Sequence, residues 1–348
     1  MSGEGSGLGA AGRPGLEPDA RPRSVGGRPA VDDAGSRGDP RPVVLDCDPG
    51  HDDALAITLA LARPELDLLG ITTVAGNSPL VNTTKNALRV LALLGRSDVP
   101  VAAGAERPLL RESWTPVEFH GESGLDGADL PEPGAEPRPE GALALTEALV
   151  AGAGRPVSLV ATGPLTNVAL LLRARPRILG GIERICLMGG SLGEGNTTAS
   201  AEFNIWQDPE AAAIVFGSGI PISMMGLDVT HRALFLEADV ARLAALGTRI
   251  ARVWVDLLHF FAAYHRRRYG WDGSPIHDAV AVAHLAVPGL VTTELLRVDV
   301  EVAGDLTRGR TVADREGLRG LPPNVEVGVD IDRARFVDLL VEAIASYG

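Results

Sequence analysis

Four things are scarce in this sequence, and each scarcity excludes something. Aromatic residues make up only 4% of the 348 residues, so the core must be built mainly from Leu, Val, Ala and Ile. Basic residues are outnumbered: 32 Lys and Arg stand against 45 Asp and Glu, for a net charge of −13. A surface of that sign repels a phosphate backbone, which speaks against nucleic acid as a partner. Lys85 is the only lysine. The two cysteines, Cys47 and Cys186, are too few for a disulfide scaffold and read as free core thiols. No apolar run approaches the ~20 residues of a membrane span, and the N-terminus has no continuous hydrophobic stretch of the signal-peptide kind. The expectation is a cytoplasmic protein with no membrane contact.

What is present is an ordinary globular balance, 45% apolar and 22% charged. Residues 1–41 are rich in Gly, Pro, Arg, Ala and Asp and cannot bury enough surface to offset ordering entropy, which predicts a disordered tail. Residues 42–348 then read as a single folded domain. Apolar strands alternate with helical patterns: "VVLDC" before "DDALAITLALA", "LDLLGITTVAG" before "PLVNTTKNALRVLALLG", "PVSLVAT" before "PLTNVALLLRARP". This alternation predicts an α/β fold with a mostly parallel central sheet flanked by helices. Ligands in such sheets bind beyond the carboxyl ends of the strands, and the polar clusters "DPGHDD", "AGNS", "TGPLTN" and "MGGSLG" each end a strand. Residues 104–140, rich in Pro, Gly and Glu, read as an active-site loop.

The densest feature is "VVLDCDPGHDDALAI", with Asp46, Asp48, Asp52 and Asp53 directly after a buried strand. Uncompensated, these carboxylates repel one another. Helix capping accounts for Asp52 and Asp53 in a first turn but not for all four. A phosphatase-like D-x-D nucleophile needs a downstream lysine, and Lys85 lies inside an apparent amphipathic helix. A divalent-cation site takes several oxygen ligands and neutralises the cluster, and "HDAVAVAH" offers Asp278 at another helix start.

At this point the chain resembles a known family, the calcium-dependent, inosine-uridine-preferring nucleoside hydrolases. The resemblance rests on "DCDPGHDDA", "AGN", "HGESGLDG", "TGPLTN", "MGGS", "AEFNIWQDPEAA" and "HDA", in the family's order from about residue 43 onward. With His51 in the first motif it looks most like the bacterial pyrimidine-preferring members. The resemblance implies hydrolysis of the N-glycosidic bond of ribonucleosides to ribose and free base. It implies calcium held by Asp48, Asp53, Asp278 and the backbone carbonyl of Thr162, with Asp48 also the general base. It assigns Asp52, Asn77, Met188, Asn196, Glu202 and Asn204 to the ribose. His277 becomes the acid that protonates the departing base, with His120 as further leaving-group or base contact. Asp46 has a supporting part.

Phe261, His265 and Tyr269 fall four apart, on one helix face, and the resemblance places that helix beside the base. Phe261 and His265 are not the polar pair expected of a pyrimidine-preferring member, which keeps purine or inosine preference as the alternative. The run "RRR" at 266–268 reads as a solvated face. A nucleoside- or ribose-binding protein without catalysis is the rival from another class. The family's habit implies a homodimer or homotetramer.

Overall fold

The computed structural model describes residues 39–348; residues 1–38 of the expected tail lie outside the described residues. Arg41 is already the first residue of the first strand. The strands are β1 (Arg41–Cys47), β2 (Leu66–Thr73), β3 (Val101–Ala103), β4 (Val157–Ala161), β5 (Ile182–Met188), β6 (Ile222–Met225), β7 (Leu234–Leu236), β8 (Gly273–Pro275), β9 (Val291–Val300), β10 (Thr311–Asp314) and β11 (Val325–Ile331). Nine of them form one sheet in the order β10-β9-β11-β6-β5-β4-β1-β2-β3, and β7 and β8 pair as a separate ribbon. All pairings from β3 across to β11 are parallel; β9 joins β11, and β10 joins β9, antiparallel.

The apolar runs explain this arrangement. Every residue of β4 is buried, and so is all of β1 after Arg41, as expected of parallel strands covered on both faces. Side chains alternate between the faces. Val43, Leu45 and Cys47 pack into one apolar cluster with helices His51–Ala62, Leu80–Leu93, His277–Ala286 and Arg333–Ala345. Val44 packs into the other, beneath helices Thr166–Ala174 and Pro209–Phe216. Both cysteines are free and buried, and Lys85 pairs with Glu132 at 3.2 Å on the exposed side of its helix.

The strand order positions the site. The chain runs outward from β1 to β2 and β3, then returns to β4 on the other side and continues through β5 to β6. The direction of progression therefore reverses between β1 and β4. At such a switch point the connections leave in opposite directions and open a crevice beyond the strand ends. Asp48 follows β1 and Thr162 follows β4, one on each lip of that crevice. Among the described residues, no helix is long and apolar enough to cross a membrane.

Candidate active site

The helix His51–Ala62 starts at Gly50, and its first turn carries Asp52 and Asp53. Asp53 accepts the Gly50 amide at 3.1 Å, so part of the cluster does cap a helix. The same oxygen accepts Asn77 Nδ2 at 3.2 Å, and its other oxygen accepts the Thr162 hydroxyl at 2.7 Å. Asp48 is fully buried: Oδ2 accepts the Asn77 backbone amide at 2.7 Å, while Oδ1 meets no donor among the described residues. Two glycines make room for it. A Cβ at Gly163 would lie 2.7 Å from Asp48 Oδ1, and one at Gly76 would collide with Oδ2. The glycines of "AGN" and "TGPLTN" are thus explained by a carboxylate in a third motif.

Asp52, Asp53 and Asp278 bring carboxylate oxygens within 4.8 Å of one another, all three buried. Burial and the neighbouring aspartates push Asp48 and Asp278 well above the ordinary carboxylate range, and burial and then Asp53 push Asp52 up to about 7. Buried acids that resist ionisation together are what a divalent cation relieves. The partnerless Oδ1 of Asp48 and the converging carboxylates fit a hard cation. The trio contains Asp52 beside the expected Asp53 and Asp278; Asp48 is outside it, joined to Asp53 through Asn77, whose Nδ2 donates to the Asp48 carbonyl and to Asp53 Oδ2 at 3.2 Å each. The Thr162 carbonyl accepts Asn204 Nδ2 at 2.7 Å, which leaves a second lone pair.

Above the cluster lies a cavity lined by Asp52, Asn77, Thr162, Met188, Asn196, Glu202, Asn204, His120, His265, Tyr269, His277 and Asp278. Glu202 accepts the amides of Gly190, Asn204 and Ile205 at 2.9, 2.9 and 3.2 Å, yet burial still raises it to about 7. Asn196 Oδ1 accepts the Phe203 amide at 3.0 Å, which fixes its orientation. Asn204 Nδ2 also reaches the Met188 carbonyl at 3.1 Å, so its amide locks the ends of β4 and β5 together.

Histidines and aromatic rings form the opposite wall. His277 opens helix His277–Ala286, with Nδ1 2.8 Å from the Thr230 hydroxyl. Burial holds its pKa well below the usual imidazole value. Phe261, His265 and Tyr269 all face the cavity from helix Arg249–Tyr269. His265 lies parallel to Trp271, with centroids 5.9 Å apart, and burial lowers its pKa to about 4. Arg266, Arg267 and Arg268 are exposed, as a solvated face requires.

Asp46 does not reach the cavity. It points to the other face of the sheet, where Oδ1 accepts Thr72 Oγ1 at 2.5 Å and Asn167 Nδ2 at 2.8 Å, and burial raises it to about 6. Asn167 in turn accepts the Ala105 amide at 2.8 Å, so Asp46 helps anchor the start of the 104–140 loop.

Several lining residues went unread in the sequence: Trp114, Phe119, Phe203, His231 and Trp271. His231 follows the end of β6 by a short helix, Leu227–Thr230, and the strand-end rule would have flagged it. Trp114 comes from a loop of no regular pattern and carried no signal.

The model of the family described as inosine-uridine preferring nucleoside hydrolase matches residues 43–338. The chain is 51% identical over 308 residues to the pyrimidine-specific ribonucleoside hydrolase RihA of Shewanella sp. (strain MR-7), covering 88% of this chain and 97% of that one. It is 52% identical over 308 residues to RihA of Salmonella arizonae, covering 88% and 99%. Among solved structures, the purine-preferring ribonucleoside hydrolase from Gardnerella vaginalis superposes with a TM-score of 0.83 at 34% identity, covering 88% of this chain and 99% of that one. The glycine-flanked aspartates, the strand order and these likenesses agree: the chain belongs to the inosine-uridine preferring nucleoside hydrolase family.

Proposed function

We propose that this protein hydrolyses the N-glycosidic bond of ribonucleosides, pyrimidine nucleosides such as uridine and cytidine foremost, with calcium as its cation. One observation carries the reading: a buried carboxylate cluster, three side-chain amides and four histidines converge on one cavity. The relatives named pyrimidine-specific support the base preference.

The bond breaks through an oxocarbenium-like state, so the site must seat the sugar, activate a water and help the base leave. Asp48, Asp53, Asp278 and the Thr162 carbonyl would hold the cation, hard oxygen donors for a hard ion. When bound, it supplies positive charge that orders sugar hydroxyls and eases deprotonation of a water. Asp48, with one oxygen tied to Asn77 and one free, takes that water's proton. Asp52, Asn77, Asn196, Glu202 and Asn204 offer the paired donors and acceptors that sugar hydroxyls need, and Met188 contributes an apolar contact. His277 gives a proton to the departing base. The donor form is the imidazolium: burial disfavours it in the open site, an electron-rich base seated beside the ring favours it, and the proton it passes on is taken up from solvent.

Reducing-sugar release from a panel of nucleosides, with and without chelator, tests this. Faster release from uridine than from inosine, lost on chelation, is the expected result. The aromatic wall of Phe261, His265 and Trp271 favours a second reading, purine preference, and the same panel reveals it. Nucleoside binding without sugar release would reduce the protein to a binding module. Assembly as a homodimer or homotetramer and work in the cytoplasm belong to the same proposal, the former checked by light scattering.

A further inference from the structure

We propose that His51 is a positioning residue that holds His120 in a single tautomer, with the proton on Nδ1 and a bare Nε2. His120 then meets the nucleoside as a hydrogen-bond acceptor, and the acid's part falls to His277 alone. The catalytic half of this inference rests on the function proposed above; the tautomer is a property of the chain itself.

The assignment follows from hydrogen bonds read in sequence. His51 Nε2 lies 2.8 Å from the backbone oxygen of Asp126. A carbonyl can only accept, so Nε2 carries a hydrogen. The buried His51 ring stacks against Phe260 and Phe261, with centroids 5.3 and 5.1 Å away and planes within 7° and 3° of parallel. Among the described residues no carboxylate hydrogen-bonds it: Asp126 turns its own carboxylate toward the amides of Glu122 and Ser123. An imidazolium so enclosed and unpaired is costly, so the ring is neutral and its Nδ1 is bare.

That bare nitrogen lies 3.1 Å from His120 Nδ1. Two lone pairs do not face each other at that distance, so His120 Nδ1 is the donor. The hydrogen bond at one imidazole nitrogen thereby decides the state of the other. The His120 ring also stacks on Phe261 and, among the described residues, has no acidic hydrogen-bond partner, which makes it neutral and its Nε2 bare. The His51 backbone amide also points its hydrogen at His120 Nδ1, at 3.4 Å; this contact asks the same nitrogen to accept, and the assignment rests on the shorter 3.1 Å contact outweighing it. The loop reinforces the order, because "HGESGLDG" carries both His120 and the Asp126 carbonyl, and Asn86 pins it by donating to the carbonyls of Ser123 and Pro49 at 2.9 and 3.1 Å.

The direct test is a long-range proton–nitrogen correlation spectrum of the full chain labelled with ¹⁵N-histidine, the His120 signals assigned by their loss in His120→Gln. A protonated Nδ1 with an unprotonated Nε2 is expected; a hydrogen on Nε2 overturns the proposal. The kinetic test compares His51→Phe and His51→Gln on uridine. Loss of the acceptor in His51→Phe should cut kcat/KM by about 10–100-fold, the range for groups that orient a functional ligand. His51→Gln should restore most of it, since an amide oxygen can accept from Nδ1. In a His120→Ala background His51→Phe should cost little more. An undiminished loss in that background would make His51 a packing residue and end the argument. If the unmodified protein releases no sugar at all, the proposed function fails, and the spectrum still decides the tautomer.

Discussion

Asn77 donates its backbone amide to one oxygen of Asp48 at 2.7 Å, while the other oxygen of that carboxylate, wholly buried, has no donor among the described residues. One half of the group is fixed and the other is held ready. Asp48→Asn should therefore fold and retain the Asn77 contact. Its turnover should fall by at least about 10²–10⁴-fold, the usual worth of a general base, with weakened cation binding. Circular dichroism, calcium titration and uridine kinetics check this; near-normal turnover in a folded variant would remove Asp48 from both roles.

Calcium should stabilise the protein more as pH rises. The carboxylates of the cluster sit above their unfolded values, Asp52 at about 7. A raised folded pKa gives stability that is present below the unfolded value, near 4, and lost as pH climbs through the folded one. The metal-free protein thus loses this contribution between about pH 4 and 7. Buried His51, His265 and His284, each lowered to about 4, act oppositely: their contribution is full above about 6.5 and fades as pH falls toward 4. Because calcium does not touch these rings, the difference in Tm with and without calcium isolates the carboxylates. It should widen from pH 5 to 7.5, with protons released on binding. A pH-independent difference would mean that the cation binds elsewhere.

His277→Ala should slow uridine hydrolysis by about 10²–10⁴-fold and largely spare p-nitrophenyl riboside, whose aglycone leaves without protonation. Calcium affinity should hold. Equal losses on both substrates would point to disruption through the adjacent Asp278.

Gly50→Ala probes a close approach. Gly50 has an ordinary extended backbone, φ −103°, so nothing there demands glycine conformationally. A Cβ, however, would sit 2.6 Å from Cε1 and Nδ1 of His120. Overpacking of this kind costs about 1–3 kcal/mol, and the ring must shift. Activity should drop further than thermal stability, measured by Tm against kcat/KM. Unchanged kinetics would show that the ring's placement does not matter.

The sheet was readable because parallel strands buried on both faces leave unbroken apolar runs such as "VVL" and "SLVA". The strand-end clusters then located the crevice without reference to pairing. Asp46 illustrates what such reading lacks: only the alternation of side chains across the sheet sends it away from the aspartates beside it. The His51–His120 contact spans 69 positions, and no local pattern encodes it. Trp114 and Trp271 reach the cavity from irregular or helix-flanking segments, where side-chain direction depends on the packed neighbours.

The reversal between β1 and β4 has a consequence for how the site comes into being. Asp53 meets Thr162 across 109 positions of chain, and Thr162 meets Asn204 across a further 42. No short stretch of the chain contains these oxygens together. A nascent or partly opened chain has only scattered aspartates, which hold a divalent ion weakly. Capture of the ion must come late in folding, after the central strands have registered. Its release should in turn be an early sign that those strands are parting, so ion exchange measured over time would track the opening of the middle of the sheet rather than the fraying of its edges.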